Sequence, residues 1–573
     1  MSAISQTCRL TGKLFEISEA DQEFYMKMGV PIPTMCPEER MRRRFAFRNE
    51  RKLYRRKCSA TGQDILSIYH PDVPFPVYET SYWWGDSWDQ YANGRDFDFN
   101  RSFFEQFAEL QKVSPVAARA VHLASMQNSD YCNACNGMKD CYMVFEASQD
   151  ERCLYSRGIY FGFDCVDCLG MDHCEGCYEC VDCQHSTFSK YLFHSKTCSD
   201  CHFSANLIGC SNCFGCVNLR NKTYHFFNQP YSKEEYEKKV QELKSLKSTE
   251  DIFKTFEAFR LRFPVKYAHQ MNTQNSTGDY LSNVKDCQEC YDVEEAENCN
   301  YCTDISGGNG GSHHSLDIHL AFMGIEYCYE CHAVGMNSQN VMFCDATWGG
   351  ASNVMYSRYC VNGCQDCFGC ISLKKARYCI LNKQYTKEEY ESLVPRIIEQ
   401  MKGAFIVDRL SNMMGNSHES ENMLINDKRS TINEFGEFFP AHMSTFAYNE
   451  SFAQDYFPLT KEQALQLGYT WRDQEVNIQS VSPAEMIPNV PVCDHCSKQF
   501  RVIPQEKVFY EKWNVVVPKV CFECRHKRRM SYKNPRRMYV RNCMKCTKEI
   551  QSTYSPEGKE MVYCEQCYLE EVY

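Results

Sequence analysis

Between Asn128 and Asn382 no long apolar run develops and little helical periodicity is present. Short units of the form Asp-Cys-x-x-Cys or Asn-Cys-Tyr recur instead, set among small, polar and aromatic residues. Cys132, Cys153 and Cys174 stand 21 residues apart, as do Cys177 and Cys198, and Cys180 and Cys201. A return near every 20 residues predicts the coils of a parallel β-solenoid with small side chains stacked inside. A longer repeat overlies it. Cys210, Cys213, Cys216, Leu219, Tyr224, Asn228, Tyr231 and Lys233 to Tyr236 recur 154 residues on as Cys364, Cys367, Cys370, Leu373, Tyr378, Asn382, Tyr385 and Lys387 to Tyr390. Each half then turns helical. Ser232 with Glu235, and Thr386 with Glu389, are capping boxes that open helices over Lys233–Leu261 and Lys387–Lys402, placed to cover open sheet edges.

From Ala404 to Gln474 aromatic residues are dense (Phe435, Phe438, Phe439, Phe446, Tyr448, Phe452, Tyr456, Phe457) but follow no period. This predicts an extended arm laid on the body, or docking a partner through the same rings, that ends in a short helix capped by Thr460 and Gln463.

The C-terminus carries four CxxC pairs: Cys493 and Cys496, Cys521 and Cys524, Cys543 and Cys546, Cys564 and Cys567. A CxxC knuckle sets two thiolates on one tight turn, and a second knuckle completes a tetrahedral cage. Taken two pairs at a time, the eight cysteines predict two closed, structural zinc sites, with iron as the main competing metal.

Sliding the N-terminus along this segment aligns Cys8, Cys36 and Cys58 with Cys493, Cys521 and Cys543 at a constant offset of 485, together with Phe15, Tyr25, Arg40, Arg43, Arg44, Asn49, Arg51 and Tyr54. The other five ligand positions hold Thr11, Glu39, Thr61, Glu79 and Tyr82. The N-terminal copy is therefore expected to fold without metal, aided by Trp83, Trp84 and Trp88.

Both copies carry a basic run. Arg40 to Lys57 has a net charge of +9 and Arg525 to Arg541 of +8, which leaves the remainder at about −28 against −11 overall. On a helix Arg525, Arg528, Arg529 and Tyr532 share a face suited to phosphates and a base. The candidate nucleic-acid residues are Arg43, Arg44, Arg48, Arg51, Arg55, Arg56, Arg525, Arg528, Arg529, Tyr532, Arg536, Arg537 and Arg541. The alternative is that these runs dock on the acidic remainder of the same chain.

Among the 38 cysteines, the central sets Cys174, Cys177, Cys180, Cys183 and Cys364, Cys367, Cys370 have metal spacing. Along an extended strand, however, every-third positions alternate faces, which favours stacked reduced thiols over zinc, copper(I) or an iron-sulfur cluster. Gly307 to Gly311 lacks the Lys-Ser/Thr of a phosphate loop and reads as an insertion leading to surface His313, His314 and His319, the alternative being a metal site with Asp317. No hydrolase, metalloprotease or dinucleotide fingerprint occurs. With no export signal and no membrane span, such cysteine content predicts a cytoplasmic protein that does not engage membranes.

The C-terminal pattern of CxxC, Phe-Tyr, CxxCR, Asn-Pro-Arg-Arg, CxxC and Val-Tyr-Cys-x-x-Cys-Tyr resembles a probable zinc-ribbon or treble-clef domain. The segment Phe435 to Asp473, with Gly436 to Pro440 and Gly468 to Arg472, is similar to that of a family from small-genome candidate-phyla bacteria. The resemblance implies zinc at Cys493 to Cys567 and carries no activity.

The expected fold is mostly β with flanking helices, in an α+β, multidomain arrangement. A degenerate zinc-ribbon-like domain (1–90) and a helical linker (91–127) precede two cysteine-rich solenoid halves (128–262 and 263–403). An aromatic arm (404–490) and a two-zinc treble-clef-like domain (491–573) follow. The expected role is a zinc-binding scaffold that engages RNA or DNA, or a ribonucleoprotein. Its alternatives are a protein-protein scaffold with docked basic ends and a metal-cluster or thiol redox enzyme.

Overall fold

The computed structural model describes residues 2–172, 176, 178–181, 184–306, 312–317, 319–322, 329–332, 342, 352–402, 435–473 and 490–573. It is a mixed α/β structure dominated by parallel pairing. Asn133–Asn136, Phe145–Ser148, Arg157–Tyr160 and Leu169–Asp172 pair in chain order, and Lys190–Phe193, Ser199–Ala205, Ser211–Phe214 and Thr223–Phe226 do the same. Each residue pairs with the one twelve positions on, as Cys201 does with Cys213, and single bridges such as Lys139 with Glu151 keep that spacing. The repeat is therefore twelve residues rather than about 20.

The backbone explains the discrepancy. From Ala134 to Phe227 every third described residue has positive φ, including Glu146 (φ 51°), Tyr155 (φ 55°) and Phe203 (φ 48°). A left-handed conformation costs a non-glycine residue about 1–2 kcal/mol. Its N–H is used between successive turns of chain: Arg152 donates to the carbonyl of Lys139, and Tyr155 to that of Tyr142. The side-chain period becomes three, so Cys132, Cys135, Cys141, Cys153, Cys168, Cys180, Cys198 and Cys201 all face one buried interior. The expectation that three-residue spacing alternates faces holds for an extended strand and fails here for that reason. A spacing of 21 is a multiple of the triplet, not of the twelve-residue turn.

Inner hydroxyls and thiols play equivalent parts. Ser156 Oγ donates to the Leu154 carbonyl at 2.9 Å and accepts the Cys168 N–H at 3.3 Å. Cys141 Sγ donates to the Lys139 carbonyl at 3.3 Å and accepts the Cys153 N–H at 3.4 Å. The inner Ser156 hydroxyl and Cys141 thiol are thus satisfied within the stack.

A second set of parallel strands runs through Gln270–Gln274, Gly278–Lys285, Cys290–Asn300, Thr303–Ser306 and His319–Phe322, and then Ser352–Met355, Gln365–Phe368 and Arg377–Ile380. Its register is less regular, 12 at Tyr291 with Thr303 and 13 at Ser352 with Gln365. Each set ends in a short antiparallel hairpin, Thr223–Phe226 with Gln229–Pro230 and Arg377–Ile380 with Lys383–Gln384, before a helix. Ser232 and Glu235 form the expected capping box, and Lys387–Lys402 is helical. The helix expected over Lys233–Leu261 is two, Lys233–Leu246 and Thr249–Arg260, because Ser248 caps the second by accepting the Asp251 N–H at 3.2 Å.

The two chain ends share one element order. Glu19–Lys27, Pro37–Ala46, Tyr54–Lys57 and Asp64–Ser67 are matched, to within a residue at offset 485, by Pro504–Lys512, Phe522–Met530, Tyr539–Asn542 and Glu549–Ser552. Met561–Tyr563 pairs with Pro264–Lys266, tying the C-terminal segment to the link between the two strand sets. Phe435, Phe438, Phe439, Phe446, Tyr448 and Phe452 are buried, with Phe438 and Phe439 packed on Phe47. Among the described residues no helix is long and apolar enough to cross a membrane.

Candidate metal centres and basic helices

Among the described residues, two groups gather ligand atoms that all lie within 4.8 Å of one another: Cys493, Cys496, Cys521, Cys524 and Cys543, Cys546, Cys564, Cys567. In each, one pair sits on a tight turn whose next residue is left-handed, Ser497 (φ 57°) or Thr547 (φ 61°). The other pair opens a helix, with Cys521 and Cys564 at the N-caps of Phe522–Met530 and Glu565–Val572. The Cys496 to Cys521 and Cys546 to Cys564 sulfur distances are both 3.7 Å. A Zn–S bond of about 2.3 Å sets tetrahedral edges at about 3.8 Å, so both sets fit zinc.

Backbone donors favour thiolate. The Cys521 N–H reaches Cys493 Sγ at 3.2 Å and the Cys564 N–H reaches Cys543 Sγ at 3.2 Å. Burial pushes both thiols up, yet the surrounding N–H groups bring Cys493 and Cys543 down to about 6. Four protein ligands leave no open position, so these centres are structural in form.

The N-terminal segment keeps the turn and loses the ligands. Gly12 (φ 68°) and Gly62 (φ 71°) stand where Ser497 and Thr547 stand. Thr11 and Thr61 hydrogen-bond to Cys8 and Cys58 instead of supplying a thiolate. Glu79 caps its helix by accepting the Tyr82 N–H at 3.0 Å, and Glu39 pairs with Arg42.

The basic helices lie against the strands, Pro37–Ala46 on the second set and Phe522–Met530 on the first. Arg40 and Arg44 meet Asp317 at 2.8 and 3.1 Å, and Arg43 meets Glu330 at 2.7 Å. Arg525 and Arg529 meet Asp167 at 2.6 and 3.0 Å, and Arg528 chelates Glu179. Asp167 and Asp317 are fully buried. Asp167 and Glu179, like Asp317 and Glu330, occupy left-handed positions.

The other candidate residues divide by exposure. Arg48 and Arg157 hold the buried Glu50, whose carboxyl, raised by burial, is brought down to about 2 by the two guanidiniums. Arg51 joins Asp455 at 3.0 Å to Glu523 at 2.9 Å. Arg536 binds Asp292 at 2.6 Å and Asp304 at 2.7 Å. Arg56 donates to the His70 carbonyl and Arg541 to those of Tyr554 and Ser555. Tyr532 packs on Phe193 with ring centroids 4.7 Å apart. Only Arg55, which donates to Tyr131 at 2.8 Å, and Arg537, 3.6 Å from Glu38, are exposed. Beside the first cage a cleft of about 600 Å³ is lined by Arg51, Trp471, Asp455, Lys498 and His526.

Asp317 is engaged by Arg40 and Arg44. Gly307 to Gly311 and the side chains of His313, His314 and His319 lie outside the described residues, as do Cys174, Cys177 and Cys183. Sequence reasoning missed Asp167, Glu179 and Glu330. A triplet reading of the repeat places each acid at a left-handed position, one shared with many other residue types, so the sequence alone does not single them out. No family model, no curated protein and no solved structure matches the chain. The zinc-ribbon resemblance gains no support from those comparisons.

Proposed function

We propose that the chain is a zinc-stabilised binding scaffold: a β-solenoid in two tandem halves, clasped by two related treble-clef-like end domains. The basic helices dock on the solenoid's own acids. The observation that carries this reading is the burial of Arg44, Arg525 and Arg529 in ion pairs with Asp317 and Asp167. A guanidinium so buried is out of reach of a phosphate. Structural zinc helps hold the C-terminal helix in position, and ion pairs with packing hold the N-terminal one without metal.

Engagement of RNA, DNA or a ribonucleoprotein is the second reading, and it narrows to Arg55 and Arg537 with the exposed Lys527. Mobility shift of the full chain with single-stranded RNA and duplex DNA at low salt tests the two. The scaffold reading predicts no retained complex. A complex that weakens steeply with salt, at about 0.9 log units per phosphate contact for duplex DNA, and that is lost in R55A/K527A/R537A overturns it.

A further inference from the structure

Four cysteines of the second strand set, Cys287, Cys290, Cys299 and Cys302, occupy inner positions on two successive turns and are completely buried. Their thiols interact around a closed ring, Cys287 with Cys290 and Cys299, and Cys302 with the same two. Leu281, Val284, Val293, Ala296 and Ile305 share this interior.

The ring differs from the C-terminal cages in shape. Among the described residues only those cages bring three or more ligand atoms within 4.8 Å of one another. Tetrahedral zinc requires every S···S edge near about 3.8 Å, which a ring with long diagonals does not offer. Zinc in four thiolates is also a dianion, which an apolar interior disfavours strongly. A soft monovalent ion bridging adjacent thiolates along the edges needs no short diagonal and suits the charge, because one such ion per thiolate leaves the ring neutral.

We propose that Cys287, Cys290, Cys299 and Cys302 form a buried Cu(I)-thiolate site, filled as the strands assemble. Each S–H exchanges its proton for a bond to copper and the proton leaves to solvent, with no change of oxidation state. The backbone tolerates the exchange: the Cys299 carbonyl, which accepts the Cys290 thiol at 3.1 Å, also holds the Gln288 N–H at 3.3 Å.

The test uses the full chain purified from cells grown with added copper and washed with bathocuproine disulfonate, with copper and zinc counted per chain. The expected result is Cu(I) retained by the unsubstituted chain and lost, by up to one ion per thiolate removed, from C287S/C290S/C299S/C302S, with zinc unchanged in both. Serine already fills an inner position of this set at Ser276, whose Oγ accepts the Cys287 N–H at 3.1 Å. Unchanged zinc and far-UV circular dichroism therefore report a folded variant. Should the quadruple variant fail to fold, C287S/C302S removes opposite corners and leaves no adjacent pair of thiolates. Copper absent from the unsubstituted chain, equal in chain and variant, or gained only as zinc is lost overturns the proposal.

Discussion

Replacing Asp167 by Asn removes the shared carboxylate of Arg525 and Arg529 while keeping its volume. Asp167 is fully buried, 2.6 Å from Arg525 and 3.0 Å from Arg529. Arg525 keeps a second acid, Glu506, at 3.4 Å, whereas among the described residues Arg529 keeps one other hydrogen bond, to the Tyr155 carbonyl at 3.5 Å. Breaking a buried pair by removing one partner costs about 3–5 kcal/mol, since the other charge is left uncompensated. The helix Phe522–Met530 is therefore expected to open about 10²- to 10³-fold more often, at about 1.4 kcal/mol per factor of ten. Hydrogen exchange read peptide by peptide should show the loss there and along Tyr155–Glu179. The N-terminal helix Pro37–Ala46, docked on Asp317, should be unchanged, and D317N should give the converse pattern. Unaltered protection of Phe522–Met530 in D167N, or equal loss at both ends, refutes the docking argument.

Three further outcomes follow from named contacts. Asp150 lies inside the first strand set, where burial raises its carboxyl from 3.8 to about 8 against a single N–H from Gly162. The folded chain thus holds a proton that the unfolded chain releases above about pH 4, so this group's contribution to stability falls as pH rises from about 4 to 8. The fall is on the order of 5 kcal/mol. D150N should therefore gain stability over the parent chain between pH 5 and 8 in denaturant titrations, and a constant difference refutes it. A Cβ on Gly162 would lie 2.4 Å from Ile159 Cγ2 and 3.2 Å from Asp150 Oδ1. G162A should lower stability by about 1–3 kcal/mol in the same titration, and neutrality contradicts the packing described. Substituting Thr11 by Cys should not create a zinc site, because Glu39 still occupies a ligand position and is paired with Arg42; zinc bound by T11C at the N-terminal end contradicts this.

Much of this was legible in the residues, for reasons that can be stated. Four CxxC pairs can combine two at a time in three ways, and taking them in chain order gives the two sets into which the structure gathers those eight sulfurs. The capping boxes at Ser232 and Thr460 were equally local and equally readable. The twelve-residue register was not, because a left-handed residue at every third position is set by hydrogen bonds between turns of chain and leaves no fixed side-chain signature: Glu146, Tyr155, Asp167 and Phe203 all occupy it. The partners of the arginines were hidden for the same reason. Asp167 and Glu179 are neighbours only once the turn length is known, and the pairing of each basic helix with the strand set farther from it along the chain is a long-range choice that no local pattern records.

The account rests on metal at one end and none at the other. Elemental analysis of the purified full chain, repeated after chelation with hydrogen exchange on the same samples, tests this most directly. Two zinc ions per chain are predicted in the C-terminal cages, and their removal forfeits on the order of 10 kcal/mol of folding free energy there, so Cys493 to Tyr573 should lose protection while the Glu19–Lys27 and Pro37–Ala46 helices keep theirs. No zinc in the native chain, or a C-terminal segment equally protected without it, contradicts the account.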